Sequence, residues 1–126
     1  MNIEEFRDYC LSLPCVEESM PFDNETLTYK IGGKVFALAS MEDFNHFAVK
    51  CQPELAIELR EQYSEVTPAF HLNKKHWNDI SVEGSLTNKF QQEQIFASYM
   101  LVVNKNVSPK ALRLELLDVI KSRYEL

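Results

Sequence analysis

One short segment of the chain concentrates the residue types that could do chemistry. Residues 71–77 contain two of the three histidines, two lysines, an asparagine and the only tryptophan, in the order His71-Leu72-Asn73-Lys74-Lys75-His76-Trp77. Cationic side chains beside a flat aromatic ring are suited to contact an anion or a nucleobase. Core packing alone would not demand such a run, so this segment is the first candidate for a binding site.

Three interpretations of the run remain open at the level of sequence. In the first, the lysines contact phosphate, the asparagine reads the edge of a base, and the tryptophan or a histidine stacks on a base. In the second, Phe70 and Trp77 anchor a loop between two strands in the core, while the lysines are solvated and the histidines bond to loop carbonyls. In the third, the same loop lines a pocket for a small anion or another protein. The predicted recognition surface comprises His71, Asn73, Lys74, Lys75, His76 and Trp77.

Residue spacing gives little support for metal binding or catalysis. His71 and His76 stand in an HxxxxH arrangement rather than the HExxH of helical zinc sites, and no acid follows them before Asp79. The sequence also lacks a GxSxG elbow and a glycine-rich phosphate loop. We therefore predict no catalytic residues, no metal ligands, no cofactor and no enzymatic activity.

The acidic side chains of the N-terminal half are a weaker candidate for a cation site. Carboxylate oxygens suit hard cations such as Fe²⁺ or Ca²⁺. Their spacing matches no calcium loop, however, and a charge run is most often a solvated face. These residues are Glu4, Glu5, Asp8, Glu17, Glu18, Asp23 and Glu25.

Charge and composition restrict the class of protein. The net charge is −6, with 13 acids and 5 bases in residues 1–65 (−8) but 6 acids and 8 bases in residues 66–126 (+2). An acidic protein is a poor non-specific DNA binder, because lysine and arginine supply most of that affinity. No apolar run approaches the roughly 18 residues of a membrane span, and no signal pattern precedes the first helix. We expect a single cytoplasmic domain over residues 1–126 that does not contact a membrane.

Three cysteines without a CxxC pair indicate neither a disulfide framework nor a zinc knuckle. We expect reduced thiols, with Cys10 and Cys51 buried.

The hydrophobic pattern predicts an α+β domain. A helix from about Ile3 is ended by Pro14, and strands at about 26–31, 34–39 and 44–51 follow, the first two joined by a Gly32-Gly33 turn. A helix opened by Pro53 comes next, then strands at 66–70 and 78–82, and then a helix from about 87 to 103. A last helix at about 108–124 forms a C-terminal extension. This order predicts an antiparallel sheet with helices packed on one face.

Several segments, taken together and in order, resemble the MmcQ/YjbR family of small bacterial proteins. The segments are Leu13-Pro14-Cys15-Val16-Glu17-Glu18, Pro21-Phe22, Gly33-Lys34-Val35-Phe36-Ala37-Leu38, Lys50-Cys51-Gln52-Pro53-Glu54, His71–Trp77 and Ser98-Tyr99-Met100-Leu101-Val102. The resemblance implies a frataxin-like fold, also described as a double-wing arrangement, and a DNA-binding role. It also raises iron binding through Glu4, Glu5 and Asp8, since frataxin-like proteins use carboxylates on the first helix.

We therefore predict a small non-enzymatic module that binds DNA or regulates through the His71–Trp77 loop. The alternatives are a protein- or small-anion-binding module with the same loop lining a pocket, and a frataxin-like iron binder. We expect a monomer, with dimerisation through the C-terminal helix as the alternative.

Overall fold

The computed structural model describes residues 1–124 and contains one six-stranded antiparallel sheet. The strands lie in the order β1-β2-β3-β4-β6-β5. Their bounds are β1 Val16–Ser19, β2 Thr26–Ile31, β3 Lys34–Ser40, β4 His46–Lys50, β5 Val66–Pro68 and β6 Trp77–Ser81. Every neighbouring pair is antiparallel, as the predicted meander requires.

Four helices complete the fold. Their bounds are α1 Ile3–Ser12, α2 Pro53–Gln62, α3 Asn88–Lys105 and α4 Lys110–Tyr124. Asn2 followed by Glu5 three residues later predicts a capping box, and α1 opens with one: the Asn2 side chain accepts from the Glu5 N–H at 2.8 Å, and Glu5 accepts from the Asn2 N–H at 3.0 Å. The Thr87 side chain, one of the two caps that the sequence offers for α3, accepts from the Phe90 N–H at 3.0 Å, and Pro53 occupies the first turn of α2. The predicted α+β class, with helices against an antiparallel sheet, is confirmed.

Helices cover one face of the sheet and leave the other face uncovered. One cross-strand row consists of Tyr29, Ala37, Val49 and Asn78. Helices cover this face: the Phe6 ring of α1 lies 5.5 Å from the Tyr29 ring, and α3 crosses β2, β3 and β4. The neighbouring row consists of Thr28, Leu38, Ala48 and Asp79. Since successive strand residues point to opposite faces, this second row lies on the face away from the helices.

Aromatic rings and a tight turn fix the core between helices and sheet. Phe36 and Tyr99 are fully buried and meet edge to face at 5.3 Å. The Gly32-Gly33 turn joins β2 to β3 with positive φ at both positions, as a type I′ turn demands. A Cβ on Gly32 would lie 2.8 Å from the Val107 side chain, so this turn also packs closely against the start of the C-terminal region.

Some predicted details were wrong. Val16–Ser19 forms a sixth strand where a polar connection was expected, because its one apolar residue gives no alternating pattern. Strand β5 stops at Pro68, although the Ala69 N–H still donates to the Trp77 carbonyl at 3.0 Å, and Phe70 is 74% exposed instead of anchoring the core. Helical spacing predicts that Leu55 of α2 and Val119 of α4 face the core, but both are exposed. In the part of the chain described, no helix is long and apolar enough to cross a membrane.

Candidate binding sites

The His71–Trp77 run forms an ordered loop that Arg60 of α2 holds in place. Arg60 Nε donates to Asn78 Oδ1 at 2.7 Å, and Nη2 donates to the carbonyl oxygens of Lys74 and, at 3.3 Å, Trp77. Asn73 shapes the loop from inside, since its Oδ1 accepts from the Lys75 N–H at 3.0 Å. The sequence interpretation missed Arg60, which a basic residue in the last turn of an otherwise acidic helix could have signalled.

The loop divides its predicted site residues between two places. His71 lines a cleft on the sheet face away from the helices, whereas His76 lines a groove on the helix side. Asn73 is engaged in the turn just described. The structure therefore does not bring all six predicted residues to one surface.

The remaining predicted residues lie between these two places. Lys74 is exposed, with its Nζ 5.3 Å from the centre of the Phe70 ring, and Lys75 is exposed as well. Trp77 is half-buried at the start of β6, where it is the cross-strand partner of Lys50. Trp77 itself lines neither the cleft nor the groove.

The helix-side groove lies between the N-terminal end of α2 and the C-terminal half of α3. It consists of two adjoining hollows of about 540 Å³ and 320 Å³. Both are lined by Lys50, Cys51, Gln52, Leu101 and Lys105. His76 reaches the smaller hollow because its carbonyl oxygen accepts from the Cys51 N–H at 2.7 Å, which ties the loop to the end of β4.

The helix-side groove has a positive character. Within residues 1–124 no carboxylate lines it, while Lys50, Lys105 and His76 do. Lys50 Nζ donates to Asn106 Oδ1 at 3.0 Å, and burial followed by the nearby Lys34 charge lowers the pKa of the Lys50 ammonium. Gln52 caps α2 without a side-chain hydrogen bond, so backbone N–H groups of the first turn remain open to an anion.

The open-face cleft lies on the opposite face of the sheet, between the strands and segment 69–72. It has a volume of about 420 Å³. The cleft is lined by Thr26, Leu38, Ala39, Ser40, His46, Ala48, Ala69, Phe70, His71, Leu72 and Asp79. His46 and Asp79, which sequence reasoning did not single out, meet there because β4 and β6 are neighbours in the sheet. Only strand pairing could have revealed this juxtaposition.

The open-face cleft has one carboxylate at its centre. Asp79 Oδ2 lies 3.9 Å from His46 Nε2, and the Asp79 side chain is 20% exposed. Burial raises the pKa of Asp79 above its ordinary value, an effect that His46, the Phe70 backbone N–H and His71 partly oppose. The ionised form of Asp79 is therefore poorly solvated inside a largely apolar wall.

The acids of the first helix do not converge on a cation site. The Glu5 carboxylate is engaged by the Asn2 N–H in the capping box. Glu18 is held by Arg7 through two hydrogen bonds of 2.9 Å and by the Tyr29 hydroxyl at 2.7 Å. Among residues 1–124 there is no group of three or more His, Cys, Asp or Glu side chains placed to hold a metal ion. The positions of these acids therefore do not support the iron-binding alternative.

The cysteines are free, and Cys10 and Cys51 are buried as predicted, while Cys15 is exposed. Burial raises the pKa of both the Cys10 and the Cys51 thiol. Since the thiolate is the nucleophilic form, neither buried cysteine is activated for covalent chemistry.

A family model and curated relatives of the chain point to the same family. The YjbR family model matches residues 11–101. The uncharacterized protein YjbR of Escherichia coli K12 is 36% identical over 105 residues, which make up 82% of this chain and 89% of that protein. The uncharacterized protein YbdF of Escherichia coli O157:H7 is 31% identical over 102 residues, covering 80% of this chain and 84% of that one.

Solved structures agree with this assignment. A crystal structure of a Deinococcus radiodurans protein with a DUF419 domain matches with a TM-score of 0.83 and 34% identity, over 91% of this chain and 87% of that one. A Pseudomonas syringae protein matches with a TM-score of 0.69 and 25% identity, over 80% and 98% of the two chains. The family resemblance read from the sequence motifs is confirmed: the chain belongs to the YjbR family.

Proposed function

We propose that this protein is a non-enzymatic binding module whose helix-side groove takes a phosphate-bearing anion. The observation that carries the proposal is a concave groove lined by Lys50, Lys105 and His76, with no carboxylate from residues 1–124 in its wall, in a protein of net charge −6. A concave site of this kind favours a compact anion over the broad positive face that a DNA duplex would need.

The groove offers chemically suitable contacts. The lysine ammonium groups can act as point charges for phosphate oxygens, and the open first turn of α2 adds backbone donors. Glu54 lies in that turn, but it does not line the groove. Lys50 is partly desolvated and bonded to a neutral amide, Asn106, rather than to a carboxylate, so its charge remains available to a ligand.

The phosphate could be free or could belong to a nucleic acid, which keeps DNA binding as the second candidate. Its support is an exposed group on the loop, at the edge of the open-face cleft, in which Lys74 lies over the Phe70 ring and Lys75 is exposed to solvent. An exposed aromatic ring and two lysines suit a single-stranded base and its backbone phosphates.

The test follows the binding of two probes by the fluorescence of Trp77, the only tryptophan, which is adjacent to His76 in the sequence. Tripolyphosphate represents a free anion, and a fluorescently labelled oligonucleotide, single-stranded or duplex, represents nucleic acid. Each is titrated at low and at physiological salt. The double variant Lys50→Gln/Lys105→Gln is expected to weaken tripolyphosphate binding at least tenfold. Its matched control, Lys110→Gln/Lys121→Gln on α4, removes the same charge away from the groove and is expected to leave binding unchanged.

The outcomes separate the two sources. Oligonucleotide binding that falls steeply with salt and is lost in Lys74→Gln/Lys75→Gln would favour nucleic acid. Tripolyphosphate binding that ignores those two lysines would favour a free anion. If neither probe bound at low salt, or if the α4 control weakened binding equally, the proposed anion groove would be wrong.

A further inference from the structure

We propose that the open-face cleft is a second binding site, for an organic cation: a primary or secondary ammonium carried on an apolar body. This site lies on the opposite side of the sheet from the helix-side groove, and it does not depend on the anion proposed there. Its ligand is defined by four observations on the cleft: its acceptors, its missing counter-charge, its apolar wall and the acids near one end.

Two hydrogen-bond acceptors converge in the cleft. His46 Nδ1 lies 2.6 Å from Asn45 Oδ1, an acceptor, so in the neutral ring Nδ1 carries the proton and Nε2 is left as an acceptor. Nε2 lies 3.9 Å from Asp79 Oδ2, too far for a direct hydrogen bond. One ammonium placed between them could donate to both atoms at about 2.8–3.0 Å.

The chain does not itself provide a full counter-charge for Asp79. In the described part of the sequence, the one ion-pair partner of this carboxylate is His46, and neither lysine nor arginine lines the cleft. Burial disfavours the ionised carboxyl, as its raised pKa indicates. A bound ammonium would stabilise the ionised form, because an opposite charge at close range offsets the lost solvation.

The rest of the cleft suits an apolar body of small-molecule size. Leu38, Ala48 and Ala69 form an apolar wall, and the volume of about 420 Å³ falls within the range of ligand pockets. Phe70 stands at the edge with 74% of its surface exposed. The Lys74 ammonium lies 5.3 Å from the centre of this ring, a distance at which the ring attracts a cation.

Acidic residues near one end of the cleft also favour a positively charged ligand. Thr26 and Ser40 line the cleft, and the exposed acids Glu25 and Glu42 lie one and two positions from them in the sequence. These acids lie close enough that Glu42, followed by Asp23 and Asp43, raises the pKa of Glu25. Such a carboxylate cluster attracts a cation and repels an anion, so the ligand class differs from that of the helix-side groove.

The experiment uses three probes that share a phenyl ring on a two-carbon chain and carry a cationic, a neutral or an anionic head group: phenethylamine, phenethyl alcohol and phenylacetate. Binding is followed at pH 7 by chemical-shift changes in the amide spectrum of the isotope-labelled chain. Phenethylamine is expected to shift residues of β4, β6 and segment 69–72, with the alcohol at least tenfold weaker and the acid weaker still. Asp79→Asn is expected to weaken amine binding at least tenfold, while Asp8→Asn, a matched change on exposed α1, leaves it unchanged.

Two further variants keep the proposal falsifiable if Asp79→Asn perturbs folding. Phe70→Ala removes an exposed ring and is expected to weaken amine binding severalfold, and His46→Leu removes the second acceptor and is also expected to weaken it. Equal binding of amine and alcohol would overturn the proposal, as would amine binding that none of these variants weakens. Shifts confined to the helix side would also overturn it. Tight Zn²⁺ binding at His46 and Asp79 with no amine binding would replace it by a metal site.

Discussion

The helix-side groove and the open-face cleft are built partly from the same loop, yet they differ in charge and in wall chemistry. His76 joins Lys50 and Lys105 in a groove to which the described residues contribute no carboxylate, whereas His71 joins His46 and Asp79 in a cleft with acids near one end. Five residues of separation in the loop therefore place two histidines in opposite electrostatic surroundings. A cluster in sequence is not necessarily a cluster in space.

The physical origin of this difference is the sheet. Alternate residues of β4 and β6 point to opposite faces, so Asp79 lies away from the helices while its neighbour Asn78 faces Arg60. The helices bring Lys105 and the open N-terminus of α2 to one side only. The loop crosses the edge of the sheet and contributes to both.

The largest expected effect comes from removing the residue that supports the shared loop. Arg60→Ala leaves the buried Asn78 Oδ1 and two loop carbonyls without their donor. It should lower the free energy of unfolding by about 2–4 kcal/mol and weaken ligand binding at both sites. Urea unfolding and the two probe titrations measure this. Arg60→Lys keeps the charge, but its single nitrogen cannot replace the separate Nε and Nη2 donors, so it should recover less than half of the loss. Loss of binding at one site alone would contradict a shared support.

A change on the helix side alone should separate the two sites. Ser98 Oγ accepts from the Lys50 N–H at 2.8 Å and donates to the Phe36 carbonyl at 2.6 Å, filling a gap where β3 and β4 separate. Ser98→Ala leaves both buried groups unpaired and should cost about 1–3 kcal/mol of unfolding free energy. Because Lys50 loses its backbone support, tripolyphosphate binding should weaken, whereas phenethylamine binding should not.

The control for this prediction is Ser12→Ala, which removes an exposed hydroxyl at the end of α1. It should change the unfolding free energy by less than about 0.5 kcal/mol. Equal weakening of both ligands in Ser98→Ala would show that the two sites are coupled through the sheet, contrary to the comparison drawn above.

The smallest expected effect concerns pH and the open-face cleft. The pKa of Asp79 in the folded chain lies above its ordinary value of 3.8. At pH values between the ordinary and the folded-state pKa, the folded state therefore holds more protons than the unfolded state. Ionised Asp79 therefore costs stability above its folded pKa, and this cost disappears as pH falls to 3.8. Protonated His46 and His71, the titratable groups nearest to Asp79, lower the pKa of its carboxyl and so oppose the effect of burial.

Asp79→Asn should accordingly leave the thermal midpoint at pH 7 unchanged or slightly higher, even though it abolishes most amine binding. The difference from the parent chain should shrink as pH falls through the Asp79 pKa, where amine binding by the parent should also be lost. Thermal unfolding across this pH range measures the effect. A clearly lower midpoint for the variant at pH 7 would mean that Asp79 is a stabilising residue instead of a ligand-binding one.

The sequence predicted the elements whose signals are local. The capping box at Asn2, the Gly32-Gly33 turn and the cap at Thr87 depend on residues within three positions of one another, and each is present. Strand β1 escaped prediction because Glu18 lies on the helix-covered face, where Arg7 and Tyr29 neutralise and bond to it. A partly buried acid with distant partners leaves no hydrophobic pattern.

The candidate sites were predictable only in part, for a related reason. The composition of residues 71–77 identified the loop, and the ordered motifs identified the family. Sequence could not show that Lys50, Lys105 and His76 share a groove, nor that His46 faces Asp79, because these residues come from separate elements. Local chemistry thus determined the elements and the binding loop, while strand pairing and helix packing decided which side chains meet and which charge each site presents.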